Sequence, residues 1–314
     1  MIKVRVEKIV DEAQGIRSFL LAGADGQPLP PYDPGAHVDV TVPGGITRQY
    51  SLCSHPSKAG AYQIAVKREA QSRGGSKALH DLVQEGSELT ISSPRNLFPL
   101  DTGRSDYVLM AAGIGVTPLL SMAYRLLELG KPFHLHYFAR SRDFAAFADL
   151  LASPTFADKV TFHYGVEPPA LAERLAQCLD ARPEAAVYTC GPAAFMDQVV
   201  AVAAKTRDKH LIHLEHFAAT DHSAEPSQAF DVVLKRSGRT VHVDSGVALS
   251  EALVKSGCTV HTSCKEGVCG TCIIPVVGGQ PDHRDNCLTD DEKAAGDLIC
   301  ACVSRCHGTL VLDL

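Results

Sequence analysis

Hydrophobic positions along the chain follow three successive rhythms. Up to about residue 103 they come in short alternating runs broken by Gly and Pro: residues 37–42, the turn Pro43-Gly44-Gly45, residues 46–52, then 61–67 and 88–92. Period-two alternation puts apolar side chains on one face of a strand, so this region predicts a small antiparallel barrel. From Asp106 strand-like runs (107–112, 133–139, 159–164, 186–189 and 211–214) alternate with segments of helical spacing (118–129, 143–151, 171–179 and 192–205). That order implies a parallel sheet with helices on both faces. Residues 218–229, polar and small, read as a linker. Beyond them the pattern predicts a hairpin around Ser237-Gly238, a helix over about 248–255, and a loop dense in cysteine. The implied divisions are 1–103, 104–217, the linker 218–229, and 230–314.

A chain of 314 residues, 45% of them hydrophobic, accommodates several such domains. Its net charge of −6 and lack of a basic run argue against nucleic acid. The first 25 residues lack a basic start followed by an apolar run, and no stretch approaches 18 uncharged apolar residues, so a cytoplasmic protein without a membrane span is expected. In that reducing compartment eleven cysteines, crowded toward the C-terminus, suggest metal ligation rather than disulfides.

The cysteine loop, CKEGVCGTC at 264–272, sets Cys264, Cys269 and Cys272 in the spacing C-x4-C-x2-C. Structural zinc sites usually pair two short steps at a distance. One compact group of three thiols matches instead the plant-type 2Fe-2S arrangement, whose fourth cysteine comes from downstream, and Gly267 and Gly270 would let the loop wrap closely and aim backbone N–H groups at sulfur. Cys53, Cys178, Cys258, Cys287 and Cys306 read as small core or surface residues. Cys300 and Cys302 both lie in a strand-like run and would face the same way, so side-chain direction does not choose the fourth ligand between them.

Two further constellations concern phosphates. Arg48-Gln49-Tyr50-Ser51-Leu52 closes a strand and offers a guanidinium, an aromatic ring and a hydroxyl, although alone it could be an ordinary amphipathic strand. Arg73-Gly74-Gly75-Ser76 precedes a short helical run, 77–83, and a glycine-rich helix start favours an anion. Together the two could hold both ends of a flavin mononucleotide. Ala111-Ala112-Gly113-Ile114-Gly115-Val116-Thr117-Pro118 leaves a strand and opens a helix, where backbone can approach a pyrophosphate, though Pro118 stands where the dinucleotide fingerprint has its third glycine. Cys190-Gly191-Pro192 ends a later strand at the same carboxyl edge, the usual place for a ligand crevice.

In the order RQYSL, SRGGS, PRNLFPL, GIGVTP, YTCGP, HLEHF, CKEGVCGTC and PDHRD, the whole chain resembles the phthalate dioxygenase reductase and vanillate O-demethylase reductase family of flavin iron-sulfur reductases. The resemblance implies a multidomain protein: an antiparallel β-barrel flavin domain, an α/β parallel-sheet nucleotide domain, and an α+β (β-grasp) ferredoxin domain at the C-terminus. Its implied cofactors are FMN, a 2Fe-2S cluster and NADH, with NADPH as the alternative nucleotide because Arg140 and Arg142 follow the second strand of the nucleotide domain.

The same resemblance implies that Arg48 and Ser76 contact the FMN phosphate and that Tyr50 and Ser51 contact the isoalloxazine, with Gln49, Val66, Lys67, Gly74 and Gly75 completing the site. Gly113, Gly115, Val116, Thr117, Pro118, Arg140, Ser141, Cys190, Gly191 and Pro192 would line the nucleotide. Ser51, Thr117, Cys190 and Phe217 would lie at the reacting centre, Phe217 covering the flavin until the nicotinamide displaces it. Among the downstream cysteines, Cys302-Val303-Ser304-Arg305 resembles the family's final ligand segment, which makes the ligand set Cys264, Cys269, Cys272 and Cys302. Ala112 departs from sequences that often carry glycine there. The implied activity is hydride transfer from NADH followed by single-electron delivery to a terminal Rieske-type oxygenase, by a monomer that engages neither nucleic acid nor membrane.

Overall fold

Alternation in the N-terminal region produces β1 (Ile2–Ala13), β2 (Ile16–Gly23), β3 (His37–Thr41), β4 (Thr47–Ser51) and β5 (Ala61–Lys67), then helix α1 (Gly75–Leu82) and β6 (Glu88–Ile91). The computed structural model describes residues 1–57, 60–70, 74–217 and 227–314. The six strands form one antiparallel sheet in the order β4-β3-β6-β1-β2-β5, and a bridge from Leu52 to Ile64 joins its two edges into a barrel. Val4, Val6, Phe19, Leu21, Val38, Val40, Leu52 and Ile64 fill the interior. Strand β1 alternates from Ile2 to Glu7, and its pairing with β2 then shifts register between Val6 and Lys8 and again between Asp11 and Ala13. Each of these bulges on β1 resets its period of two.

The second rhythm yields β7 (Tyr107–Ala112), α2 (Val116–Glu128), β8 (Phe133–Ala139), α3 (Ala148–Leu151), β9 (Val160–Tyr164), α4 (Pro168–Asp180), β10 (Ala186–Cys190), α5 (Ala193–Ala203) and β11 (Ile212–Glu215). All five strands are parallel, in the order β11-β10-β7-β8-β9. Central β7 is buried along its whole length, as a strand covered on both faces must be. Pro118 sits in the first turn of α2, where no intrahelical N–H is missed. The helix expected over 143–151 is not continuous. A 3-10 turn at Arg142–Phe144 gives way to buried Ala145, Ala146 and Phe147, and only four residues of α3 follow. Phe147 has φ 59°, a left-handed conformation that a right-handed helix cannot contain.

By contacts the chain divides into two compact units, Met1–Glu215 and His216–Leu314. The second comprises β12 (Phe230–Leu234), β13 (Arg239–Val243), α6 (Leu249–Lys255), β14 (Ile273–Asp282), α7 (Asp290–Ala295), β15 (Leu298–Cys300) and β16 (Arg305–Leu312). Its sheet runs β13-β12-β16-β14-β15, with β12 and β16 parallel and the other neighbours antiparallel. This is the α+β ferredoxin arrangement, with α6 packed by Leu249, Ala252 and Leu253 into the core. Most of the expected linker, residues 218–226, lies outside the described residues. Among the described residues no helix is long and apolar enough to cross a membrane.

Candidate functional site

Strand β4 alternates, so Arg48 and Tyr50 share one face and Gln49 and Ser51 the other. Arg48 donates to the Thr47 carbonyl at 2.7 Å, and its stem lies so close to α1 that a Cβ on Gly75 would come within 2.5 Å of Arg48 Cγ. Gly74 holds φ 103°, which favours glycine, and α1 begins after it with no side-chain cap. Ser76 Oγ accepts the Glu69 N–H at 3.2 Å. A guanidinium beside an uncapped helix start is the donor chemistry of a phosphate cradle. Ser72 and Arg73 of the same motif fall outside the described residues. Burial pushes the Tyr50 phenol up, so it stays neutral. Gln49 is turned away from the cradle: it donates to Asp39 at 3.1 Å, a carboxylate that also accepts Arg95 at 2.6 Å. Val66 is buried in the barrel core, and Lys67 pairs with Glu69 at 2.7 Å.

Strands β7 and β10 are parallel neighbours, so the loops that leave them emerge side by side at the carboxyl edge of the sheet. They pack backbone against backbone. A Cβ on Gly115 would sit 2.1 Å from the Cys190 carbonyl oxygen, and one on Gly191 would sit 2.8 Å from Ala112 Cβ. Ala112 is thus accommodated by the glycine opposite it. The Gly113 carbonyl accepts the Tyr137 hydroxyl at 3.0 Å, and buried Thr117 donates to the Ile114 carbonyl at 3.0 Å, which fixes the turn ahead of Val116 and Pro118. Cys190 is fully buried, and burial raises its thiol well above the usual range, so its sulfur is a neutral packing atom facing Glu215 across the register. Arg140 lies 3.8 Å over the Phe144 ring, partly exposed Ser141 follows, and Arg142 pairs with Asp149 at 2.5 Å. Phe217, two residues past β11, is 39% exposed.

Glu215, which the sequence did not single out, ends β11 and accepts Ser51 Oγ at 3.4 Å. Burial pushes its carboxyl from the ordinary 4.5 up to about 8. Between those values the folded chain holds a proton that the unfolded chain has released, so stability falls as pH rises through the window. Thermal melts of flavin-free protein should show this slope in the wild type and a flatter profile in Glu215→Gln. An identical slope in the variant would assign it to other groups.

In the cysteine loop Lys265, Gly267 and Gly270 all have positive φ, 58°, 73° and 67°, and curl the chain tightly. The Glu266 N–H points to Cys264 Sγ at 3.3 Å and the Thr271 N–H to Cys269 Sγ at 3.4 Å, as expected of a loop that must present amides to sulfur. Cys264 and Cys269 lie within hydrogen-bonding reach of each other. The sulfurs of Cys272, Cys300 and Cys302 fall within 4.8 Å of one another, with Cys272 to Cys300 at 3.4 Å and Cys300 to Cys302 at 3.8 Å. This buried set of thiols fits an iron-sulfur cluster, and both downstream candidates reach Cys272.

The contacts that support the cysteine loop were not legible as such in PDHRD or in Val303-Ser304-Arg305. Buried Asp285 accepts Ser304 Oγ at 3.0 Å and the Leu288 N–H at 2.9 Å, while the Asn286 N–H donates to the Gly267 carbonyl at 2.8 Å. Arg305 donates to the carbonyls of Gln228, Asp244 and Val247 at 3.0, 2.9 and 3.0 Å. Asp285→Ala strands two buried donors and should cost ~1–3 kcal/mol, read as an earlier urea midpoint and faster bleaching of cluster absorbance. Unchanged values for both would remove Asp285 from the support of the loop.

Residues 232–307 match the family of 2Fe-2S iron-sulfur cluster binding domains. The chain is 43% identical to vanillate O-demethylase oxidoreductase of Pseudomonas sp. (strain HR199 / DSM 7063) over 318 aligned residues, covering 100% of each. It is similar to the solved structure of phthalate dioxygenase reductase, described as modular for electron transfer from pyridine nucleotides to 2Fe-2S, with 38% identity and a TM-score of 0.74 over 100% of this chain and 98% of that one. It also superposes on an intact type IV self-sufficient cytochrome P450 monooxygenase, with 36% identity and a TM-score of 0.89 over 100% of this chain but only 41% of that one.

Proposed function

Because the chain belongs to the family of vanillate O-demethylase oxidoreductases and phthalate dioxygenase reductases, we propose that it is the reductase component of a Rieske-type aromatic oxygenase or O-demethylase system. It oxidises NADH and delivers single electrons to the terminal oxygenase. The observation that carries this reading is the presence, in one chain, of a phosphate cradle, a glycine-lined crevice at a sheet edge and a buried thiol cluster. When bound, FMN accepts hydride from NADH and releases its electrons singly, and the 2Fe-2S cluster carries one at a time.

Residues 1–103 are the flavin domain in this reading, 104–217 the nucleotide domain and 230–314 the ferredoxin domain, with 218–229 linking them. Arg48, Ser76 and the start of α1 would hold the FMN phosphate, and Tyr50 and Ser51 the isoalloxazine. Gly113, Gly115, Cys190, Gly191 and Pro192 would admit the nucleotide backbone to backbone, with Thr117 beside the reacting ends and Phe217 covering the flavin. Cys264, Cys269, Cys272 and Cys302 would bind the irons. Family resemblance favours NADH over NADPH, against the local chemistry of Arg140 and Arg142, whose guanidiniums suit a 2′-phosphate. The protein works as a cytoplasmic monomer, with an oxygenase as its partner and neither nucleic acid nor membrane.

Two measurements test this. Flavin released by heat should chromatograph as FMN, since the cradle offers phosphate ligands; FAD would overturn that assignment. Steady-state NADH oxidation should reduce cytochrome c as an artificial acceptor. Cofactor-loaded protein that leaves cytochrome c oxidised would be a binding module rather than a reductase.

A further inference from the structure

We infer that His136, His163 and Cys178 form a binding site for one zinc-class divalent ion beneath helix α4 of the α/β sheet. Strand β8 carries His136 and β9 carries His163, and Phe138, two residues beyond His136 and on its face, pairs in register with His163. Cys178 is among the buried residues of α4. His136 Nδ1 lies 3.1 Å from His163 Nε2, Cys178 Sγ lies 3.7 Å from the same nitrogen, and all three donors fall within 4.8 Å of one another. A tetrahedral ion with bonds of ~2.0–2.1 Å to nitrogen and ~2.3 Å to sulfur has ligand edges of about 3.3–3.6 Å. The two gaps, 3.1 and 3.7 Å, bracket that range.

Burial lowers both imidazoles, leaving them neutral at pH 7 with a lone pair, and raises the Cys178 thiol to about 11, so an ion must displace that proton to bind. The His163 ring is fixed by Phe138, stacked at 4.3 Å and 13°. Two imidazoles and a thiolate select a zinc-class ion over magnesium or calcium. Binding replaces the Cys178 thiol proton, which is released to solvent, and changes no oxidation state. The ion would pin α4 to the β8 and β9 strands.

The test uses full-length protein with flavin and cluster loaded, so that the cluster thiols are occupied, and titrates it with zinc chloride. One equivalent should bind, and zinc K-edge absorption should show two nitrogen and one sulfur scatterers. Cys178→Ser and His163→Asn should weaken binding beyond the ~10–100-fold typical of losing an outer-shell partner, with flavin content unchanged. A zinc shell without sulfur, no stoichiometric binding, or variants that bind like the wild type would overturn the site and leave a thiol–imidazole hydrogen-bond chain in its place. Should the variants fail to fold, the wild-type absorption shell alone decides.

Discussion

Cys302→Ser should abolish or severely alter the visible absorption and electron paramagnetic resonance signal of the 2Fe-2S cluster, whereas Cys300→Ser and Cys306→Ser should leave both nearly unchanged. Cys302 lies in the turn that carries Val303, and Val303 Cγ2 is where a Cβ on Gly267 would approach to 2.6 Å, so this turn rests on the cysteine loop. Cys300 ends β15, paired in register with Ile273 and fully buried in the core of its unit. Cys306 belongs to β16 and directs its thiol to the His307 carbonyl at 3.6 Å. The competitor is Cys300, since its sulfur is 3.4 Å from that of Cys272. An intact cluster in Cys302→Ser together with its loss in Cys300→Ser would move the ligand two residues upstream.

Truncation after Thr220 should leave a flavoprotein that oxidises NADH with ferricyanide at near the intact rate but passes no electrons to the oxygenase. Met1–Glu215 is a compact unit in which barrel and α/β sheet have their own buried cores, and every clear cluster ligand lies beyond it. Losing the ferredoxin unit therefore removes the exit for electrons while keeping the phosphate cradle and the nucleotide crevice. Normal oxygenase reduction by the truncated form would mean that the flavin serves the partner directly.

Features written locally in the chain were legible. Strands Ala61–Lys67, Tyr107–Ala112 and Phe133–Ala139 begin and end where the apolar pattern does, and three cysteines within nine residues announce a cluster. Features made by distant segments were not. Bulges on β1 interrupt its alternation after Val6, and a single left-handed residue, Phe147, broke a helix that apolar spacing supported. Glu215 gains its raised pKa from burial at the end of β11, against which the Ser51 hydrogen bond works only in part. Asp285 looks like a turn residue in PDHRD until Ser304 and Leu288 are folded onto it. The histidines at 136 and 163 and the cysteine at 178 come from three elements, and no spacing rule joins them.

Electron flow from nicotinamide to iron within this one chain is tested most directly by adding NADH anaerobically to the intact protein and freezing samples for electron paramagnetic resonance. A reduced 2Fe-2S signal should appear with NADH alone, at an intensity matching that obtained with dithionite. Flavin bleaching by NADH while the iron stays silent, with the signal seen only after dithionite, would contradict it.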